Sequence, residues 1–274
     1  MTTKLINTLA AATVAGLGSA SAANYFQDFN GFADGTTDLG DGTIIASNID
    51  NAGLGFPVGN ASVQGGELRL TQDDVNSQRA SFRIPALPNS SLGWTATFDF
   101  TLFDAAGGNP PADGFSFNYG NIQSLSTVQG GPTGHGNAEN GMGGAQIAFT
   151  VDTWQLNNTN NQPGVAIMDG GTVLARNDGT VLDQGGSLTG TATITWMPGF
   201  ASYSTTGLGT NANFSDVAHS FVGDDSFGFA FSSRTGGANE EFRIDNLSIT
   251  TVPEPGVFTL IGLFGLGAIL RRRR

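Results

Sequence analysis

The sequence contains no cysteine, which excludes disulfides, thiolate metal sites and cysteine nucleophiles. It contains only two histidines, His135 and His219, so imidazole chemistry has few candidates. We interpret both as surface residues, because one lies in a glycine-rich stretch and the other beside a predicted turn. Charged residues are also scarce, since they make up 12% of the chain, about half the usual share.

Positive charge is especially scarce in the central region. Residues 23–252 contain no lysine, 6 arginines and 22 acidic residues, which gives a net charge of −16. An acidic surface of this kind repels a phosphate backbone, so we expect no nucleic-acid partner. Neutral glycans and divalent cations fit this charge better.

The residue present in excess is glycine, with 41 residues, about twice the usual share. Between the turns that glycine favours, apolar and polar residues alternate, most clearly over 94–102, and no window of 23–252 has the period of an amphipathic helix. Apolar strand faces must be buried against another sheet, which predicts an all-β sandwich. The predicted strands are 67–70, 80–84, 94–102, 114–119, 145–154, 165–168, 191–196, 200–203, 227–232 and 242–250, with a hairpin turn at 197–199.

The N-terminal residues 1–22 have the pattern of a secretory signal peptide. Lys4 supplies positive charge, residues 5–17 are apolar, and 20–22 read Ala-Ser-Ala, a small-residue cleavage pattern. We predict cleavage after Ala22. The alternative interpretation is an ordinary buried helix.

The C-terminal residues 253–274 have three parts in a fixed order. The motif Pro253, Glu254 and Pro255 precedes an apolar run over 256–270, and four arginines follow it: Arg271, Arg272, Arg273 and Arg274. As a helix, the run spans about 22 Å against about 30 Å of hydrocarbon, a gap that arginine side chains partly close by snorkelling. The arginines place that side of a transmembrane segment in the cytoplasm.

This tail resembles the PEP-CTERM sorting signal of Gram-negative bacteria. The resemblance implies export, transient anchoring in the inner membrane, and recognition near Pro253 and Pro255 by an exosortase. Removal of the helix would then release the protein to the cell envelope or the extracellular matrix, often beside exopolysaccharide. The alternative is a C-terminal core helix.

Residues 23–252 resemble the L-type lectin-like domains of the concanavalin A-like lectin/glucanase superfamily. The resemblance implies a concanavalin A-like jelly-roll β-sandwich. It is carried by four stretches in order: 67–71 with 79–82 and 98–100; 112–117, Ala-Asp-Gly-Phe-Ser-Phe; 139–144 with 149–154; and 235–247, which begins Thr-Gly-Gly-Ala-Asn.

The resemblance implies a set of carbohydrate-binding residues. Asp113, in the Ala-Asp-Gly turn with Gly114, would accept hydrogen bonds from sugar hydroxyls, and its preceding peptide bond is often cis in this family. Backbone donors would come from a glycine-rich loop, and an aromatic ring would stack on the sugar. The remaining members are Gly141, Gly143 and Gly144 for the loop, Trp154 or Tyr119 for stacking, and the amide of Asn157. In the alternative, each of these residues belongs to an ordinary loop or to the core.

The same resemblance suggests a metal-bearing strand but does not complete it. Thr150 occupies the position of a family glutamate, so a paired metal site is absent, and calcium prefers six to eight oxygen ligands. One weak Ca²⁺ site remains compatible with Asp152, the Trp154 carbonyl and Asn157. In the alternative interpretation, Asp152 caps a loop through hydrogen bonds.

The carboxylates give no catalytic pattern. The superfamily's glucanases use an E-x-D-x-E type strand, and none of Glu67, Glu139, Glu240 and Glu241 begins one. We interpret the adjacent pairs at 224–225 and 240–241 as solvated loop charges. The sequence therefore predicts an exported, non-enzymatic protein that binds a neutral glycan or exopolysaccharide. The alternatives are a structural matrix protein with a degenerate sugar site and, less favoured, a glycoside hydrolase.

Overall fold

The computed structural model describes residues 21–47, 61–105, 110–122, 142–154, 163–210 and 212–253. The chain forms one compact unit over Ala22–Val252. Residues 1–20 of the predicted leader 1–22 lie outside the described residues, as does the tail from Glu254 to Arg274, including Pro255. Pro253 is exposed at the edge of the described residues. Among the described residues, no helix has the length and apolar character needed to cross a bilayer.

The described residues form fifteen β-strands, which confirms the all-β prediction. They are β1 Asn24–Gln27, β2 Ile44–Ser47, β3 Ser62–Gln64, β4 Glu67–Thr71, β5 Arg79–Ile84, β6 Trp94–Phe103, β7 Gly114–Gly120, β8 Ala145–Asp152, β9 Gly164–Asp169, β10 Thr172–Asp178, β11 Ser187–Met197, β12 Phe200–Thr205, β13 Asn213–Ala218, β14 Gly228–Arg234 and β15 Glu241–Thr251.

The strands build two antiparallel sheets that face each other across one core. The larger sheet has the order β13-β12-β11-β6-β15-β4-β3, with β1 also paired to β15. The smaller sheet has the order β10-β9-β8-β7-β14-β5-β2. The structure therefore fits the predicted jelly-roll β-sandwich.

Period-two alternation explains how β6 divides the core from the surface. Trp94, Phe98 and Leu102 are each at most 1% exposed. Thr95 and Phe103, which point to the other face of the strand, are exposed. Aromatic rings fill the space between the sheets, with the Trp94 ring meeting Phe117, Tyr119, Phe149 and Phe229 edge-to-face at 5.2–6.1 Å. Such pairs stabilise the core beyond their area burial.

The predicted hairpin between β11 and β12 is confirmed. Met197 pairs with Phe200, and Gly199 has a φ of +90°, a left-handed conformation that favours glycine at the turn. Strand β8 ends at Asp152, two residues before the predicted end, because the Trp154 N–H binds the Asp152 side chain rather than a neighbouring strand.

The strand register gives the sandwich two distinct ends. At one end, which we call the Asp113 end, Gly114 pairs with both Asp152 and Arg234. At the other, the Val252 end, Gly120 pairs with Ala145 and Gly228, and Trp94 of the facing sheet pairs with Thr251. The six residue-to-residue steps of β7 from Gly114 to Gly120 separate the two ends by about 20 Å.

Candidate functional site

Asp113 is held by backbone contacts from two neighbouring strand ends. Its N–H donates to the Arg234 carbonyl at 2.9 Å, and its own carbonyl accepts from the Thr153 N–H at 3.3 Å. The Ala112–Asp113 peptide bond is cis, as the family resemblance implies. Together these contacts fix the start of β7 between the ends of β14 and β8.

The Asp113 carboxylate lies in a nearly closed, charge-paired environment. Its side chain is 9% exposed, and Oδ2 lies 2.8 Å from Arg234 Nε. Burial raises the pKa of Asp113, while the charges of Arg234 and Arg79 oppose that rise. A Cβ on Gly236 would lie 3.2 Å from Oδ2, so this glycine keeps the space beside the carboxylate free of a side chain.

Gly114 is explained by the packing of the strands. A Cβ at this position would lie 2.0 Å from the Val151 carbonyl oxygen, and its φ is +116°. Only glycine fits this close approach of β7 to β8. The predicted carbohydrate residue Gly114 is therefore also a requirement of the fold.

The loop over 235–239 forms one wall beside Asp113 and was not assigned a role from the sequence. Thr235 Oγ1 donates to the Val75 carbonyl at 2.9 Å, and Asn239 Nδ2 donates to Asn76 Oδ1 at 2.7 Å. The Gly236 carbonyl accepts from the Ser77 N–H at 2.9 Å. The loop is thus braced on the segment before β5, and the Thr-Gly-Gly-Ala-Asn pattern of the fourth resembling stretch was the available signal for it.

Glu240 corrects the interpretation of the 240–241 pair as solvated charges. Its side chain is fully buried, and neither carboxylate oxygen has a partner with hydrogen-bond geometry among the described residues. Burial, reinforced by the charges of Asp113, Asp104 and Asp152, raises the pKa of Glu240 to about 8, although the nearby Thr153 hydroxyl opposes the rise. The residue immediately precedes β15 and is covered by the neighbouring loops, which the sequence pattern did not reveal.

Glu241 and the pair Asp224 and Asp225 differ from Glu240, because their carboxylates are either ion-paired or exposed. Glu241 is also largely buried, with its carboxylate bound to Arg243 Nε at 2.6 Å and 3.8 Å from Arg69 Nη1. Asp224 and Asp225 are exposed, which confirms their interpretation as solvated charges. Burial therefore separates two sequence pairs that look alike.

Asp152 makes the hydrogen bond expected of a loop cap. It is 2% exposed, and its Oδ1 accepts from the Trp154 N–H at 3.0 Å. Its Oδ2 lies 3.8 Å from Arg176 Nη2, a cation that competes with a metal for this oxygen. Within the described ranges, no group of three or more acidic or histidine side chains is arranged to hold a metal ion. Asn157 lies outside those ranges, so the described part of the chain alone does not supply a Ca²⁺ site.

Tyr119 is not available for stacking, and its prediction as a sugar platform is wrong. The residue is fully buried, and its hydroxyl donates towards Ser90 Oγ and the Asp224 carbonyl, each at 3.1 Å. Burial raises the pKa of Tyr119 to about 12. The reason is the period of β7, which directs residues 115, 117 and 119 into the core.

The glycine-rich loop does not join Asp113 where the structure describes it. Gly143 and Gly144 precede β8 at the Val252 end, about 20 Å from Asp113, because β8 runs antiparallel to β7. The Met142 N–H donates to Asn118 Oδ1 at 2.9 Å, which fixes this end of the loop. Placing Gly143 and Gly144 beside Asp113 was wrong, and Gly141 lies outside the described residues.

Trp154 is the predicted aromatic residue that does lie at the Asp113 end. It is half-buried and follows Thr153, whose N–H binds the Asp113 carbonyl. The backbone therefore brings Trp154 and the loop at 236–237 to the same end of the sandwich as Asp113. This end of the sandwich holds an acidic acceptor, a glycine beside it and a half-buried tryptophan.

Comparison with known proteins defines the fold. The described sandwich has the concanavalin A-like lectin fold, as three solved structures illustrate. Peanut lectin with a nonapeptide has a TM-score of 0.57 at 16% identity, covering 85% of this chain and 99% of its own. The Bauhinia forficata lectin in complex with GalNAc has a TM-score of 0.53 at 16% identity, covering 85% of this chain and 99% of its own.

The third structure is the exoplasmic/lumenal domain of VIP36 in its Ca²⁺/Man3GlcNAc-bound form. It has a TM-score of 0.53 at 16% identity and covers 78% of this chain and 85% of its own. No protein-family model and no curated protein matches the sequence. At these identities the likeness concerns the fold alone.

Proposed function

We propose that this chain is an exported surface or matrix protein whose sandwich binds a neutral glycan or exopolysaccharide at the Asp113 end, without catalysis. The observation that carries the proposal is the position of Asp113, which lies beside Gly236 and at the same end of the sandwich as Trp154. Lectins of the same fold in complexes with GalNAc and with Man3GlcNAc support the choice of a glycan.

The chemistry of the site suits hydroxyl recognition. The Arg234 cation favours the charged form of Asp113, and a carboxylate accepts strong hydrogen bonds from hydroxyl donors. Trp154 would cover an apolar sugar face, and the space beside Gly236 would admit the ring. The acidic surface favours an uncharged polysaccharide over a polyanion.

Delivery of the domain is part of the same proposal. The leader ending at Ala22 would direct secretion, and the tail from Pro253 to Arg274 would anchor the chain in the inner membrane until an exosortase acts. The product would reside in the cell envelope or extracellular matrix of a Gram-negative bacterium. The sandwich would bind a Ca²⁺ ion only if Asn157 or other residues of its loop supply oxygen ligands in addition to that of Asp152.

A glycan array followed by calorimetry tests the binding site. For a glycan that the wild type binds, Asp113→Asn should weaken binding at least about tenfold, because the charged acceptor is lost. Asp183→Asn is the matched control, since it removes an exposed acid near the same end and should leave affinity unchanged. Circular dichroism should show both variants folded.

The second candidate is a structural matrix protein with a degenerate sugar site. It is favoured by the burial of Asp113, whose side chain is only 9% exposed. Binding to no glycan on the array would support this candidate, and binding that Asp113→Asn leaves intact would exclude Asp113 as the acceptor. Release of reducing sugar from the bound polysaccharide would contradict a non-catalytic role.

A further inference from the structure

The Val252 end carries a group of exposed apolar side chains. Val222 is 78% exposed, Phe200 54% and Met197 50%, and Leu92 and Val252 are each 37% exposed. We call these five residues the apolar rim. Among the described residues, the opposite end has only Phe103 as an exposed large apolar side chain.

The members of the rim are neighbours in space. A Cβ on Gly93, next to Leu92, would lie 3.1 Å from Val252 Cγ2 and 3.4 Å from Met197 Cγ. Met197 and Phe200 pair across the hairpin between β11 and β12. Gly223, which follows Val222, packs on the Trp196 ring and on the Ser91 backbone. The five residues therefore lie on neighbouring segments at the same end of the sandwich.

The surface below the rim is well packed. The Trp94 and Trp196 rings stack at 6.3 Å, and the His219 ring stacks on Trp196 at 5.8 Å. His219 Nε2 lies 3.1 Å from the Met197 carbonyl oxygen, and the His219 N–H donates to the Gly199 carbonyl. The exposed side chains are consequently presented by a firmly held base.

The chain leaves the sandwich from this same rim. The Val252 N–H donates to the Gly93 carbonyl at 2.9 Å, and Val252 is itself a rim residue. The apolar run over 256–270 begins four residues later in the sequence. Four extended residues reach at most about 14 Å, so a bilayer entered by that run would lie close to the rim.

We propose that the apolar rim is a membrane-contacting surface, which rests on the outer leaflet of a phospholipid bilayer while residues 256–270 are inserted. This inference rests on the proposed membrane anchoring and is independent of glycan binding. Phe and other apolar side chains are suited to the boundary between headgroups and acyl chains. The contact would direct the Asp113 end away from the bilayer.

The test uses the full chain reconstituted in phosphatidylcholine vesicles that contain a headgroup-attached quencher. Because the sequence has no cysteine, Phe200→Cys and Val222→Cys each accept one fluorophore. Asp183→Cys, exposed near the opposite end, is the control. We expect quenching at the two rim positions to exceed that at residue 183 by about threefold or more, since the ends are about 20 Å apart.

A second variant tests whether the side chains themselves make the contact. Met197→Ser combined with Leu92→Ser should lower quenching of the Val222→Cys label, while the melting temperature and glycan affinity stay unchanged. Equal quenching at residues 183 and 222 in membrane-inserted protein would overturn the inference alone. Failure of the chain to insert would overturn it together with the proposed anchoring. Shielding of the rim labels that depends on protein density and not on the lipid quencher would indicate a second copy and also overturn it.

Discussion

The two ends of the sandwich differ in what fills them. At the Val252 end, the rings of Trp94, Trp196 and Tyr119 pack against one another at 5.4–6.3 Å. At the Asp113 end, Glu240 is fully buried near the carboxylates of Asp113, Asp104 and Asp152. The first end stabilises the fold through apolar burial, whereas the second holds charged groups that burial disfavours. Sites that bind ligands are often built from groups of this second kind.

The largest expected effect is the loss of stability when the aromatic packing at the Val252 end is removed. Trp94→Ala should lower the free energy of unfolding by about 3–5 kcal/mol, because it removes a buried ring and leaves a cavity. Urea unfolding followed by circular dichroism measures the change. Leu92→Ala, in the exposed rim beside it, is the control and should cost much less. Equal losses of unfolding free energy in the two variants would contradict the assignment of Trp94 to the core.

A smaller effect is the pH dependence of stability, which we expect to come from Glu240 at the Asp113 end. The pKa of Glu240 is raised from its ordinary value near 4.5 to about 8, so the folded state binds a proton that the unfolded state has lost. The stability from this group is complete below about pH 4.5 and is lost as the pH rises to about 8. Glu240→Gln should remove this part of the decline, about 3 kcal/mol between pH 5 and pH 8.5.

Thermal unfolding of both proteins across that pH range measures the difference. Asp183→Asn, which removes an exposed acid, should keep the wild-type decline. A Glu240→Gln curve parallel to the wild type would show that Glu240 does not carry the proton. Trp94→Ala should keep the wild-type pH dependence despite its lower stability.

The smallest of the three effects concerns the ion pair at the Asp113 end. Arg234→Met should destabilise the fold by about 2 kcal/mol, because it leaves the buried Asp113 carboxylate without its cation. Adding Asp113→Asn should restore part of the loss, and a double-mutant cycle in urea gives the coupling. Additive losses would mean that the pair contributes nothing to stability.

Sequence reasoning located the central strands well because their alternation is strong. The pattern over 94–102 predicted β6 to within one residue, and the turn at 197–199 predicted the hairpin. It missed β1, β2, β3, β10 and β13, all short or at sheet edges. Weak alternation in edge strands reflects their partial exposure, which the pattern cannot separate from a loop.

The candidate site was only partly predictable. Asp113 and Trp154 were identified because a short motif and a strand end mark them in the sequence. Gly143 and Gly144 were misplaced because proximity depends on the direction of β8 relative to β7. Glu240 was misjudged because its burial comes from loops distant in sequence, and an adjacent pair of glutamates carries no signal of that cover.

The hydrogen bonds between Ala23 and Thr251, which join the first and last segments of the sandwich, have a mechanical consequence. Ala23 and Thr251 share backbone and side-chain hydrogen bonds, and β15 lies between β6 and β4 with β1 also paired to it. A pull on the chain beyond Val252 would therefore reach the sandwich first at β15 and at its hydrogen bonds to Ala23. Because β15 is hydrogen-bonded to β6 along its length and to β4 and β1 on its other edge, such a load would be shared by several strands and not carried by one.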